Sequence, residues 1–97
     1  MSVMYRGYDN EATWAYASYL RNDLKAYRKY RIIVRNLRLR YGEENLLTEF
    51  TKVLIYQKDQ FSSQEKNENP YLKRIHDEDW ETIDYPAVAS AFIGQQN

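Results

Sequence analysis

Over residues 24–41 the chain repeats apolar side chains at alternating spacings of three and four: Tyr27, Tyr30, Val34, Leu37 and Tyr41. That is the period of one helix face, and the run contains no glycine or proline to interrupt it. Ahead of it, Ala12, Trp14, Ala15, Tyr16, Ala17, Tyr19 and Leu20 predict a helix that is apolar round most of its circumference, with alanines small enough to let another helix approach. Asp9 or Asn10 suits its N-cap, and Glu11 lies where the helix dipole favours an acid. Asn22 and Asp23 are polar and cap-like and predict a break; one uninterrupted helix over 10–41 is the competing reading. Leu37, Leu39 and Tyr41 also alternate with Arg38 and Arg40 as a strand would, but the longer three-four seam favours helix. Gly42 is placed to end it.

Beyond Gly42, the acids Glu43 and Glu44 open a third predicted helix with Leu46, Leu47, Phe50, Val53, Leu54 and Phe61 as its core face. The stretch 62–70 has no apolar residue between Ser62 and Pro70 and reads as a polar surface loop. Residues 1–8 read as an irregular lead with Gly7 available for a turn. Tyr71 and Leu72 re-anchor the chain after Pro70, and Trp80 and Ile83 are expected to pack inward from a short helical turn. Pro86 suits the first position of a last helix with Val88, Ala89, Phe92 and Ile93 on its apolar face and Gly94 at its end. The sum is a mainly α fold, one small single-domain bundle of about four helices over 1–97.

Composition refines this picture. A chain of 97 residues makes one domain, and at that size burial reaches roughly 60–65% of the unfolded surface. The hydrophobic fraction of 43% leans on ten tyrosines, whose hydroxyls favour a core edge or an interface. There is no cysteine, which excludes disulfides and thiolate chemistry and fits a reducing cytoplasm. No apolar leader is visible near Met1 and no run approaches the ~20 apolar residues of a membrane span, so a cytoplasmic protein without membrane contact is expected.

Charge changes the picture more. Fourteen basic and fourteen acidic side chains cancel, so no global field attracts nucleic acid. The charge is segregated instead. No acid lies between Asp23 and Glu43, where Lys25, Arg28, Lys29, Arg31, Arg35, Arg38 and Arg40 gather, while five acids fall in 77–84. Arg28, Arg31, Arg35 and Arg38 follow the apolar seam one position later and so form a second stripe about 100° round the helix. That stripe could meet successive phosphates, with Tyr27 or Tyr30 stacking on a base, or it could dock on a protein. The plainer expectation is that the arginines pair with the acids of 77–84 or only solvate the helix.

Catalytic patterns are weak. His76 is the single histidine, has no evident nucleophile to serve, and reads as a surface residue. Asp77, Glu78, Asp79 and Glu81 lack the spacing and central glycine of a calcium loop and read as a solvated acidic face. The three glycines stand too far apart to cradle a phosphate. No enzyme activity, cofactor or metal is expected. The acids are also too few, in a neutral chain, for mimicry of a DNA backbone.

Gly7-Tyr8-Asp9-Asn10-Glu11-Ala12-Thr13-Trp14, followed by Leu20, Asn22 and Asp23, resembles the start of a group of small bacteriophage and mobile-element proteins. These begin with Gly-Trp-Thr-Asn-x-x-Thr-Trp and soon carry an Asn-Asp pair; Asp79-Trp80 and Ile83 echo their Asp-Trp and following aliphatic residue near the end. Tyr8 replaces the usual tryptophan and Asp9 the usual threonine, and the basic centre has no counterpart. The group has no established activity, so the resemblance assigns no site residues; it implies a phage-type accessory protein in a bacterial cytoplasm. The expectation is a non-enzymatic protein that modulates or inhibits a host protein or nucleoprotein complex by occlusion, an anti-defence role such as CRISPR-effector inhibition being its concrete form. Arg28, Arg31, Arg35, Arg38 and Tyr30 are its expected partner-binding residues. The alternatives are a nucleic-acid-binding module using the same helix and a homodimer through the tyrosine seam.

Overall fold

A computed structural model describes residues 5–94. Five α-helices carry the fold: α1 (Glu11–Asn22), α2 (Leu24–Tyr41), α3 (Glu43–Lys58), α4 (Ser63–Glu68) and α5 (Tyr85–Gly94), with 3₁₀ turns at Leu72–Arg74 and Asp77–Thr82. Among the described residues there is no strand, and the mainly α expectation holds. The lead expected over 1–8 is described from Tyr5 onward, where Tyr5 and Tyr8 exchange backbone hydrogen bonds across a tight turn. Arg6 and Gly7 have φ of 50° and 90° there.

The break between the first two helices lies at Asp23, which is extended (φ −79°, ψ 115°) and accepts from the Ala26 N–H through its side chain. Its other carboxylate oxygen takes a 2.9 Å hydrogen bond from Asn69 Nδ2, and Asn69 Oδ1 in turn accepts from the Tyr71 and Leu72 N–H groups. One aspartate thus starts α2 and anchors the later chain to it. Gly42 ends α2 with φ 81° and ψ 165°, its N–H bonded to the Arg38 carbonyl. The strand-like alternation at 37–41 is helix.

α1 packs against α2 and α5, and α3 packs against the same two, so the four longer helices close a ring. The interior holds Tyr16, Leu20, Tyr30, Val34, Leu46, Phe50, Leu54, Val88 and Phe92, all at most 2% exposed. Tyr16 meets Phe61, Trp80 and Tyr85 edge-on within 6.3 Å, geometry that the ring quadrupoles favour. Phe50 and Phe92 lie 5.6 Å apart, with Tyr30 against Phe50 and Tyr27 against Phe92. Trp80 and Ile83 pack inward as expected.

Three expectations need correction. The stretch expected as a polar loop over 62–70 contains α4, because Ser62 accepts from the Glu65 N–H while the Glu65 side chain accepts from the Ser62 N–H, a complete capping box. The helix buries no residue. On α3, Leu47 is 43% exposed, and Phe61 is buried but lies beyond the helix end. The seam of α2 is also shorter than its spacing suggests: Ala26, Tyr30 and Val34 are buried, Leu37 is half-buried and Tyr41 is exposed.

Candidate binding surface

The burial of Ala26, Tyr30 and Val34 sets the inward direction of α2, and helix geometry then sets what points outward. At 3.6 residues per turn, Leu24, Ile32 and Leu39 fall within roughly an 80° arc on the far side. They are 61%, 50% and 81% exposed. Arg28 and Arg35 lie inside the same arc and Arg31 at its edge, and all three are exposed. The outward face is therefore a row of aliphatic side chains interleaved with guanidiniums.

Whether that row is paired depends on its neighbours. No ion pair among the described residues joins α2 to the acids of 77–84. Glu81 binds Lys58 through both oxygens, at 2.9 and 3.0 Å. Arg28, Arg31 and Arg35 make no ion pair or side-chain hydrogen bond among the described residues. Arg38 differs: it pairs with Glu43 and lies half-buried at the flank of the face. Lys29 reaches Gln57 at 3.2 Å and lies over the Tyr30 ring.

Tyr30 does not belong to this surface. Its ring is fully buried against Phe50, and its hydroxyl is buried without a hydrogen-bond partner. Burial pushes the Tyr30 phenol well above its ordinary value, with the nearby Tyr19 and Glu65 adding to it and the neighbouring Tyr16 hydroxyl opposing it. The tyrosines the fold leaves open are Tyr56, 67% exposed, and Tyr41. Of the five residues expected to bind a partner, the fold brings Arg28, Arg31 and Arg35 together in the open, ties Arg38 to Glu43 and buries Tyr30. Leu24, Ile32 and Leu39 are additional members of the face. Their signal was their phase: each lies far from Tyr30 on the helical projection.

Elsewhere the surface offers little chemistry. His76 is exposed, and no group of three His, Cys, Asp or Glu side chains among the described residues is placed to hold a metal ion. A cleft of about 470 Å³ between the end of α3, α4 and the 77–82 turn is lined by Lys58, Lys66, Trp80 and Glu81 among others. Both of its lysines are engaged within it: Lys58 pairs with Glu81, and Lys66 lies over the Trp80 ring at 4.9 Å. Among the described residues, no helix is long and apolar enough to cross a membrane.

The residues that carry the phage-protein resemblance hold the two ends of the fold together. Asn10 caps α1 through the Thr13 N–H and donates to the Thr82 carbonyl at 3.1 Å. The Thr13 hydroxyl donates to Asn10 Oδ1 and accepts from the Asp84 N–H at 3.0 Å. The Trp14 ring receives the Arg6 and Arg74 guanidiniums at 4.6 and 5.0 Å. Comparison with protein-family models, with curated proteins and with solved structures finds no match to this chain.

Proposed function

We propose that this is a non-enzymatic binding protein that docks on a larger host protein or nucleoprotein complex through the outward face of α2 and acts by occlusion. The observation that carries the reading is the combination on one face of three exposed guanidiniums without internal carboxylate partners and three exposed aliphatic side chains. Unpaired arginines lose no internal ion pair when they bind, and each aliphatic side chain covered by a partner contributes on the order of 1 kcal/mol. Arginine beside apolar groups is also the composition of binding hot spots. Together with the resemblance to phage and mobile-element proteins, this favours a modulator of a host defence complex, an anti-CRISPR inhibitor being one concrete form.

A second reading, nucleic-acid binding by the same helix, is supported by the seven basic residues of 24–41 without an acid among them. Leu24, Ile32 and Leu39 weigh against it, because a phosphate backbone gives exposed aliphatic groups nothing to bury against. The test is charge reversal. The Arg31→Glu/Arg35→Glu variant is expected to lose the partner that the unaltered protein retains from a host lysate; retention by both removes the face from the mechanism. A gel-shift series over salt separates the second reading: tight oligonucleotide binding with a steep salt slope would favour nucleic acid.

A further inference from the structure

We infer that the occupant of the outward face of α2 is an acidic amphipathic helix of a partner protein, its apolar residues laid along Leu24, Ile32 and Leu39 and its carboxylates meeting Arg28, Arg31 and Arg35. The inference rests on the reading above and narrows it to one class of partner. Charge complementarity selects the sign: residues 24–41 contain seven cations and no acid, and guanidiniums match carboxylates bidentately. The apolar row selects the shape. Leu24, Ile32 and Leu39 are separated by eight and seven residues, so they recur about every second turn along a straight strip roughly 22 Å long. A partner helix with its own seven-residue apolar repeat fits such a strip side by side.

The other occupants fit less well. A second copy laid face to face on α2 would set guanidiniums against guanidiniums. The chain's own acidic stretch is anchored elsewhere, by buried Trp80 and Ile83 and by the Lys58–Glu81 pair. A nucleic acid satisfies the arginines and leaves the aliphatic row unused.

The experiment uses the full chain and a fluorescent, end-capped synthetic peptide of about five helical turns, with leucine on one face and glutamate flanking it. A scrambled peptide of the same composition, a lysine-for-glutamate peptide and a single-stranded oligonucleotide of matching charge serve as comparisons. Fluorescence anisotropy should show saturable binding of the patterned acidic peptide only. Ile32→Gln/Leu39→Gln and Arg28→Gln/Arg35→Gln should each weaken it at least about tenfold; all four positions are exposed, and unchanged far-UV circular dichroism verifies that each variant folds. The inference is overturned if the patterned peptide does not bind, if the scrambled peptide binds equally, if the Ile32/Leu39 variant binds normally, or if the oligonucleotide binds more tightly. Such a failure, with charge reversal still abolishing capture of a host partner, would remove the acidic helix as occupant and leave the binding face standing.

Discussion

Tyr30 and Ile32 stand two residues apart on α2 and point to opposite sides of it: Tyr30 is fully buried against Phe50, and Ile32 is 50% exposed among arginines. Two helical steps turn the side chain by about 200°, so one short segment serves both the core and the outer face. The buried hydroxyl of Tyr30 makes no hydrogen bond of good geometry, because its polar neighbour, the Tyr16 hydroxyl, donates to the Leu54 carbonyl at 3.2 Å. Removing an unsatisfied buried polar group costs little or helps; removing one of a bonded pair costs about 1 kcal/mol or more. Tyr30→Phe should therefore leave the urea midpoint unchanged or raise it, and Tyr16→Phe should lower it.

The same burial sets the alkaline limit of the fold. Tyr16, Tyr30 and Tyr85 have phenols raised well above the ordinary value of 10.0, and Tyr19 is pushed up to about 12, in each case chiefly by desolvation. The unfolded chain releases these protons first. Stability from these groups is thus full below about pH 10 and lost as pH rises toward the folded values. Absorbance titration at alkaline pH should show the tyrosinates of these four residues appearing together with loss of helical circular dichroism. Their ionisation in a chain that remains folded would contradict this.

Thr13 joins the start of α1 to the start of α5. Its hydroxyl is fully buried and makes two hydrogen bonds, to Asn10 Oδ1 and from the Asp84 N–H. Thr13→Val keeps the shape and strands the Asp84 donor, so it should destabilise by about 1–3 kcal/mol in denaturant unfolding. A change below the error of the melt would show that the link between the chain's two ends is weak.

Gly42 sets the turn from α2 into α3. At φ 81° and ψ 165° it occupies a region essentially restricted to glycine, and nothing lies within 4 Å of an added Cβ. The cost of Gly42→Ala is then backbone strain alone, about 1–3 kcal/mol. A melting temperature equal to that of the unaltered chain would show that the turn relaxes without penalty.

Much of this fold could be read from residues in order. α2 follows its expected bounds of 24–41 because the start and stop signals are local: Asp23 caps one end, Gly42 stops the other, and no proline or glycine intervenes. α4 escaped because its polar composition hid a four-residue signal, Ser62 with Glu65. The outward face of α2 was half legible. The arginine row is visible from spacing, about 100° round from the seam that holds Tyr30, but how far that seam extends and which residues lie opposite it follow only from the helix's rotation against the core. That rotation sends Tyr30 inward, brings Leu24, Ile32 and Leu39 out and sets Arg38 beside Glu43. Which acids an arginine meets is likewise a matter of tertiary distance, and the stretch 77–84 spends Glu81 on Lys58 instead.

The most direct test of the account is site-specific photo-crosslinking in living cells that express the protein, with a benzophenone side chain placed at Leu39 on the outward face of α2 and, separately, at Glu78 on the exposed acidic turn. The account predicts a discrete protein adduct from position 39 that disappears when Arg28 and Arg35 are changed to glutamate, and none from position 78. Adducts from both positions alike, or from position 78 alone, would contradict it.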